Sequence, residues 1–391
     1  MSRSRIDVVV VGGGVVGAAC ALALQQQGLE IALVEMQEPA PWFDLQPDLR
    51  VYALAPDNAD LLQSLRVWRE VCESRVQPYR RMRIWDAAGG DELVFDADTF
   101  GVAQLGWIVE NSLLVDRLWA ALQAQGIRIC CPAKVETLEQ FDDSVRLRLN
   151  DGTRLDASLA IAADGADSTL RELAGMEVSR HAYHQRGVVA FVETEHPHET
   201  TAWQRFLPTG PLAFLPFSSG HCSIVWTLPD TEAERVLALE EAAFGCELTD
   251  AFGGRLGQVR LASSRVAFPL RRQLIDRYVS GRVLAIGDAA HAVHPLAGQG
   301  VNLGLRDVAA LCELVRVVHT QRSDWAAPHR LQRWARMRRS DNTVSAYGFD
   351  IINRIFSNDE MPLVLTRGPL LGLANKLSPL KRMFWRRAAG I

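Results

Sequence analysis

The stretch Ile6-Asp7-Val8-Val9-Val10-Val11-Gly12-Gly13-Gly14-Val15-Val16-Gly17 decides the fold of this chain. Its first half, Ile6 to Val11, is almost wholly apolar and is typical of a buried strand. Apolar residues at helical spacing follow from Val15 to Gln27, and a second buried strand is predicted from Ile31 to Glu35. Strand, glycine-rich loop, helix and strand in this order predict a βαβ unit and therefore a parallel sheet.

The glycines of this loop have the spacing G-x-G-x-x-G, and an acidic residue, Glu35, ends the following strand. Gly12 permits the tight turn, Gly14 lets the backbone approach a pyrophosphate, and Gly17 lets the helix pack closely on the strand. Glu35 is placed to accept a ribose hydroxyl, which favours FAD or NAD over NADP. A glycine-rich turn without a ligand is the alternative.

Two further loops follow strand-like apolar runs. Residues 163–171 read Ala-Asp-Gly-Ala-Asp-Ser-Thr-Leu-Arg, which alone also fits an Asp-Gly turn and an N-capping serine. Residues 287–302, Gly-Asp-Ala-Ala-His-Ala-Val-His-Pro-Leu-Ala-Gly-Gln-Gly-Val-Asn, join the run Val283 to Ile286 to a helical pattern. Such a loop presents backbone N–H groups to an anion or an electron-rich ring. If these loops, which are far apart in the sequence, contact one ligand, that ligand is predicted to be a cofactor as long as FAD.

The remaining predicted elements show two different sequence patterns. A helix (Leu113 to Gln125) and strands (Ile127 to Cys131, Val145 to Leu149, Leu159 to Ala163) complete a nucleotide domain. Residues 187–268 alternate and are rich in aromatics, which predicts an inserted antiparallel sheet with one acidic helix at Glu232 to Ala243. The predicted domains are an FAD-binding domain (1–75, 100–180 and 269–345), a substrate domain (76–99 and 181–268) and a helical C-terminal segment (346–391).

Composition sets the broad class of protein. A length of 391 residues favours a two-domain enzyme, and 48% apolar with 23% charged residues are ordinary globular values. The net charge of -4 gives no general attraction to nucleic acid. Seven cysteines without a C-x-x-C pair indicate reduced thiols and a cytoplasmic location. The apolar N-terminus also imitates a signal peptide or membrane helix, but its clustered glycines disfavour both.

Together the three loops resemble the flavoprotein aromatic hydroxylases, the class A monooxygenases related to para-hydroxybenzoate hydroxylase. The resemblance extends to about residue 345, and the pattern from His294 to Asp307 is similar to the ubiquinone-biosynthesis hydroxylases. The segments Pro78 to Arg81, Val109 to Asn111 and Gly210 to Pro216 most resemble the branch that acts late, on a methoxy-methyl-benzoquinol. The resemblance implies an α/β fold: a Rossmann-like FAD-binding domain, an inserted mostly antiparallel β-sheet substrate domain and a helical C-terminal tail.

The resemblance also implies a set of cofactor-binding residues. In that family the glycine loop and the acid of the second strand hold the ADP half of FAD, and the loop near residue 300 contacts the isoalloxazine ring. By this resemblance the cofactor-binding residues of the chain are Gly12, Gly14, Gly17, Glu35, Arg50, Asn111, Asp164, Gly165, Asp288, Pro295, Gly298, Gly300, Val301 and Asn302.

The implied reaction uses FAD, NAD(P)H and O2. A flavin hydroperoxide would hydroxylate the ring of a polyprenylated phenol or benzoquinol in ubiquinone biosynthesis. Two alternatives stay open: a soluble hydroxylase of a small aromatic, and a flavin-bearing assembly subunit without turnover. The phenol-activating base is not identified, because Tyr52, Tyr183, His294 and several arginines are all candidates. No metal is expected: His291 and His294 have helical spacing, but Pro295 disfavours a helix, and His291 fits a structural hydrogen-bonding role.

The C-terminal tail, Met361 to Ile391, has no acidic residue and mixes basic with apolar side chains. This composition is typical of an interfacial helix on an anionic membrane, although a helix packed on the protein body is also consistent with it. The expected partners are the prenylated aromatic substrate, O2, the inner face of the cytoplasmic membrane as a peripheral contact, and other ubiquinone-biosynthesis proteins, with no nucleic acid.

Overall fold

The first sheet is built around the N-terminal strand. In the computed structural model, which describes residues 6–292, 300–320, 324–356 and 378–390, this sheet has eight strands. Strand β1 (Ile6–Val11) lies between β2 (Ile31–Val34) and β11 (Arg154–Ala162) and is parallel to both. The sheet is completed by β8 (Arg128–Cys130), β9 (Val135–Gln140), β10 (Val145–Leu149), β18 (Val279–Ser280) and β19 (Val283–Ala285).

The central strands are buried on both faces, which explains their continuous apolar sequences. Val8, Val9 and Val10 have no exposed surface. Helix α1 (Val15–Gln26) packs against α5 (Asn111–Ala124) and α9 (Gly300–Thr320). The strands and helices predicted for this part of the chain are confirmed, with ends that differ by a few residues.

The second sheet has nine strands among the described residues and is mostly antiparallel, as predicted. Its members are β5 (Arg81–Asp86), β6 (Leu93–Asp96), β12 (Val178–Thr194), β13 (Thr201–Leu207), β14 (Gly210–Pro216), β15 (Cys222–Pro229), β16 (Val259–Leu261), β17 (Val266–Ile275) and β20 (His291–Ala292). Only the pair β5 and β13 is parallel in this part of the structure. The domain boundaries themselves stay a prediction.

The single acidic helix predicted for Glu232 to Ala243 is wrong. The structure has two helices there, α7 (Asp230–Leu237) and α8 (Glu241–Phe252). The chain is extended at Glu240, where ψ is 154°, and this break lets both helices bury their apolar sides in one core. That core covers one face of the nine-stranded sheet, because it joins Phe244 of α8 to Val188 of β12.

The remaining strands and helices lie outside the two large sheets. They are β3 (Val51–Leu54) and β4 (Gln77–Tyr79), which both pair with β7 (Gly106–Glu110), and the helices α2 (Pro56–Ser64), α3 (Trp68–Ser74), α4 (Ala97–Phe100), α6 (Thr169–Leu173), α10 (Pro328–Phe356) and α11 (Ser378–Ala389). None of the helices in the described ranges is long and apolar enough to cross a membrane.

The described end of the tail packs on the protein body. In α11 the Trp385 ring stacks on Phe100 with centroids 4.6 Å apart. The Arg306 guanidinium donates to the Ala388 carbonyl at 2.8 Å. The packed arrangement considered for the tail is therefore present in residues 378–390, and residues 361–377 lie outside the described part of the chain.

Candidate functional site

The carboxyl ends of four parallel strands meet at one edge of the eight-stranded sheet. Gly12 follows β1, Glu35 follows β2, Asp164 follows β11 and Asp288 follows β19. All four residues line one cavity of about 1180 Å³. This edge is where open α/β sheets bind nucleotides, and it joins three loops that are far apart in sequence.

The three signature glycines meet three different steric demands. Gly12 has φ +107°, and a Cβ there would lie 2.3 Å from the Ala163 carbonyl oxygen. A Cβ on Gly17 would lie 2.0 Å from the Gly12 carbonyl oxygen, so only glycine allows this approach of α1 to β1. Gly14 has open space around its Cβ position and lines the cavity. The roles predicted for these glycines, in turn, packing and ligand approach, fit this geometry.

The N-terminus of α1 is prepared for an anion. No side chain caps it, and no acidic residue lies in its first turn. Its first N–H groups and the helix dipole therefore favour a phosphate group at Gly14. Trp119 Nε1 donates to the Gly13 carbonyl at 2.7 Å and holds the loop from behind, a contact that the sequence analysis missed. Glu35 supplies carboxylate oxygens beside the loop, one of which accepts from the Gly13 N–H.

The second and third loops are held together by two buried side chains. Arg171 donates from one nitrogen to the carbonyls of Ala166 at 2.8 Å and Ala289 at 3.1 Å. Gln273 Nε2 donates to the same Ala166 carbonyl at 2.7 Å and approaches the Asp288 carbonyl at 3.4 Å. Because Arg171 is 3% exposed and Gln273 is fully buried, these bonds fix the relative position of the two loops.

Asp164 has a structural as well as a cavity-lining position. Its carboxylate accepts hydrogen bonds from the Ser168 hydroxyl and from Leu170 N at 3.2 Å. Burial raises the pKa of Asp164 above its ordinary value, against the opposing effect of these bonds. Ser168 also accepts from Arg171 N at 3.0 Å, which confirms the N-capping serine considered for this loop. Gly165 next to it has φ +84° and also lines the cavity.

Arg50, Tyr52 and Asn111 form a further group of cavity-lining residues. Asn111 N donates to the Arg50 carbonyl at 2.9 Å, and the Tyr52 hydroxyl donates to Asn111 Oδ1 at 3.0 Å. The Asp48 carboxylate orders the group by accepting from Arg50 N at 2.9 Å. Burial raises the pKa of Tyr52 to about 12, so its hydroxyl is protonated at neutral pH and acts as a donor.

The first turn of α9 divides the predicted flavin-facing residues. Gly300 and Val301 line the cavity, and a Cβ on Gly300 would lie 4.0 Å from Asp288 Oδ1. The Asn302 side chain is fully buried and points elsewhere: it donates to the Ala53 carbonyl at 2.8 Å and accepts from Ala55 N at 2.9 Å. It therefore clamps α9 to β3 and to Ala55, the residue that joins β3 to α2. A backbone contact of Asn302 with the cofactor stays a prediction, and Pro295 and Gly298 lie outside the described residues.

Replacing Asn302 by alanine is expected to lower the free energy of unfolding by roughly 2–4 kcal/mol, because buried backbone groups of Ala53 and Ala55 lose their partner. Asn58, whose amide donates to Asn302 Oδ1 at 2.8 Å, offers a matched control. Its replacement by alanine leaves both backbone groups bonded and should cost clearly less. Urea unfolding of the two cofactor-free variants measures the difference, and equal losses would contradict the clamp.

His291 belongs to a buried ionic cluster behind the cavity. Its Nε2 donates to Asp307 Oδ2 at 2.6 Å, and both side chains have no exposed surface. Asp307 also accepts from Gly287 N at 3.1 Å, Arg338 Nε at 2.8 Å and Asn342 Nδ2 at 3.0 Å. The structural hydrogen-bonding role considered for His291 is confirmed. In the described part of the chain no group of three His, Cys, Asp or Glu residues is placed to hold a metal.

The sequence profile of a family described as FAD binding domain matches residues 5–340. The chain belongs to this FAD-binding family. It is 37% identical to 3-demethoxyubiquinol 3-hydroxylase of Escherichia coli over 393 residues, with 100% of both chains covered. It is also 37% identical to the ubiquinone hydroxylase UbiL of Rhodospirillum rubrum over 388 residues, which covers 98% of this chain and 89% of that one.

The fold of this FAD-binding family member is shared with a solved structure. The p-nitrophenol 4-monooxygenase PnpA from Pseudomonas putida DLL-E4 superimposes with a TM-score of 0.79 at 20% identity, with 98% of each chain covered. The resemblance to class A flavoprotein hydroxylases and the α/β fold are thus confirmed, and the protein is an FAD-dependent monooxygenase.

Most of the cofactor-binding residues inferred for the family lie together at the cavity of this monooxygenase. They are Gly12, Gly14, Glu35, Arg50, Asn111, Asp164, Gly165, Asp288, Gly300 and Val301. Gly17 and Asn302 lie behind the lining, where one permits close packing and the other clamps α9.

Proposed function

We propose that this monooxygenase hydroxylates the aromatic ring of a polyprenylated phenol or benzoquinol in ubiquinone biosynthesis, with NAD(P)H and O2 as co-substrates. The observation that carries the proposal is the cavity, which continues from the FAD-binding strand ends to apolar residues of the second sheet, including Val189, Phe268 and Leu270. The similarity to 3-demethoxyubiquinol 3-hydroxylase along the whole chain supports the choice of substrate class.

Each part of the cavity has a role in this proposal. The N-terminus of α1 at Gly14 binds the pyrophosphate, and Glu35 accepts from the ribose hydroxyls. Asp288, which lines the same cavity, would accept from a ribityl hydroxyl. Bound FAD supplies the redox chemistry and the oxygen activation. The chain's own contribution is to bind, orient and keep the site dry.

The start of α9 supplies electrostatic stabilisation at the ring end of the site. Gly300 and Val301 line the cavity at the N-terminus of a helix of 21 residues, where the helix dipole is positive. Negative charge that develops on a ring held there is stabilised by this field. Arg50, which also lines the cavity, adds a positive charge. Because the Tyr52 hydroxyl is protonated at neutral pH, it suits a donor better than a phenol-activating base.

Turnover with product identification tests the proposal. The purified, flavin-loaded enzyme is given NADH or NADPH with either a prenylated phenol or a water-soluble phenol, and the product is examined by mass spectrometry. A gain of one oxygen on the prenylated ring is expected. Turnover confined to the water-soluble phenol would replace the substrate class, and nicotinamide oxidation without oxygen insertion on either ring would overturn the hydroxylase proposal.

We also propose that α11 makes peripheral contact with an anionic membrane. Trp385 and Ala389 are buried against the body, but Met383 and Phe384 are 57% and 49% exposed. Exposed arginines flank this apolar pair at positions 382, 386 and 387. Apolar side chains beside basic ones on the outer face of a docked helix are suited to the headgroup region of a bilayer.

Replacing Arg382, Arg386 and Arg387 by glutamine is expected to weaken binding to vesicles that contain anionic lipid by about 100-fold, since each cation near such a surface contributes about 1 kcal/mol. Sedimentation with vesicles at two salt concentrations measures it. Glutamine at Arg146, Arg148 and Arg154, three arginines of β10 and β11, is the matched control and should leave binding unchanged. Equal loss in both triple variants, or none in the first, would refute the contact.

A further inference from the structure

Strand β17 carries exposed apolar side chains at the mouth of the cavity. Val266 is 45% exposed and Phe268 is 39% exposed, whereas Leu270 is 4% exposed, and all three line the cavity. Alternate residues of a strand share a face, so these three side chains form one row, here called the β17 rim. Exposure falls along the row from Val266 to Leu270. The rim therefore leads from solvent into the cavity.

The neighbouring strand is shaped to keep this row open. Phe268 pairs with Gly187 of β12, and Val266 pairs with Val189. A Cβ on Gly187 would lie 3.0 Å from Phe268 Cζ, so the ring lies across bare backbone. Val189 also lines the cavity and widens the apolar strip. Any larger residue at position 187 would displace the Phe268 ring from its place on β12.

The length and the apolar character of the β17 rim favour an extended hydrocarbon chain over an aromatic ring as its ligand. From Val266 to Leu270 the strand advances about 14 Å, since antiparallel strands rise about 3.4 Å per residue. Arg271, the charged residue directly after Leu270, is paired with Asp167 at 2.8 Å. Apolar side chains left partly exposed at a cavity mouth mark a ligand-binding surface, and an extended hydrocarbon gains most from covering them.

We propose that the β17 rim binds the hydrocarbon tail of the substrate where it leaves the cavity, and so determines the preference for tailed over tail-less rings. This inference rests on the proposed function, because it assigns a place to the tail of a polyprenylated substrate. Phe268 and Val266 are then specificity-determining residues that touch the tail and not the reacting ring.

Replacing Phe268 by serine, alone and together with Val266→Ser, tests the rim with two substrates that share one ring. One substrate carries a long isoprenoid tail and the other carries none, and both are supplied in the same detergent. KM for the tailed substrate should rise about tenfold in the single variant and further in the double variant. KM for the tail-less ring and kcat for both substrates should change less than twofold.

Phe141→Ser is the matched control, because Phe141 is 47% exposed and lies against Arg146 in the β9–β10 turn. It should leave both KM values unchanged, and flavin content and melting temperature verify the fold of every variant. Equal rises of KM for both substrates, or no rise for the tailed one, would overturn the proposal that the β17 rim binds the tail. The proposed function would still be supported in that case if the wild type hydroxylates the tailed ring. If the wild type hydroxylates no tailed ring, the proposed function and the rim fall together.

Discussion

Replacing Gly17 by alanine is expected to lower the free energy of unfolding of the cofactor-free protein by about 3 kcal/mol or more. The added Cβ would lie 2.0 Å from the Gly12 carbonyl oxygen and 3.1 Å from the Ala163 Cβ. Neither contact can relax by a rotamer change, because one is with backbone and the other with the Cβ of an alanine, whose position the backbone fixes. Helix α1 would have to move away from the sheet.

Gly14→Ala is the matched variant, with the opposite outcome. The Cβ position of Gly14 has no atom within 4 Å, and its φ of -68° suits any residue. The stability of the cofactor-free protein should therefore change by less than about 1 kcal/mol. The new methyl group would stand where a pyrophosphate approaches the backbone, and FAD affinity should fall by at least about tenfold.

Two measurements separate the variants: urea unfolding of the cofactor-free proteins and FAD titration followed by flavin fluorescence. The expected pattern is a large stability loss for Gly17→Ala and a loss confined to affinity for Gly14→Ala. A Gly14→Ala protein that binds FAD as the wild type does would remove the pyrophosphate from this loop. A stable Gly17→Ala protein would show that α1 does not require this close packing.

The βαβ unit and the glycine loops could be predicted because their causes are local in sequence. Continuous apolar runs such as Val8 to Val11 are typical of strands buried on both faces. A glycine such as Gly12 at the end of such a run indicates a turn with a positive φ, because glycine adopts that conformation readily. The break at Glu240 could not be predicted, because residues on both sides are good helix formers and only the shared core separates the helices.

Long-range pairing of polar side chains could not be predicted for a different reason. Asn302 was assigned to the cofactor loop, yet its side chain bonds to Ala53 and Ala55, nearly 250 residues earlier. In the sequence Asp307 ends the motif that begins at His294, and Arg338 lies in the arginine-rich stretch Arg330 to Arg339, but no sequence pattern joins them. Their pairing follows from how α9 and α10 pack, which is a tertiary fact.

Replacing Asp307 by alanine is expected to lower the free energy of unfolding by about 4 kcal/mol, because it removes the buried one of the two carboxylates that pair with the buried Arg338 guanidinium. The Arg338 side chain is 7% exposed, so water cannot readily take the place of Asp307. The same change releases the bond from Gly287 N, next to Asp288, and FAD affinity should also fall. Urea unfolding and FAD titration measure the two effects.

Asp341 provides the control on the same arginine. It accepts from Arg338 at 3.0 Å, but its side chain is 53% exposed. Its replacement by alanine should cost less than about 1 kcal/mol, as is usual for ion pairs in contact with solvent. Equal losses of unfolding free energy in the two variants would contradict the role given to burial. Asp307 would then stabilise the protein only by neutralising the charge of Arg338, as an exposed carboxylate also can, and not by its buried position between α9, α10 and the cofactor loop.

Asp307 also predicts how stability depends on pH. Burial alone raises its pKa, but the charges and hydrogen bonds of His291 and Arg338 outweigh burial and hold the pKa below its ordinary value. A carboxyl group with a lowered pKa in the folded state stabilises the protein above its unfolded pKa of about 3.9, and this stabilisation is lost as pH falls through the folded value. The variant Asp307→Asn has no group that can titrate at this position.

The wild type should therefore exceed Asp307→Asn in unfolding free energy at pH 7 and 5, and this excess should shrink below about pH 4 in urea unfolding. An excess that stayed constant down to pH 3 would mean that folding does not depress the pKa of Asp307, and the ionic account of the cluster would have to be given up.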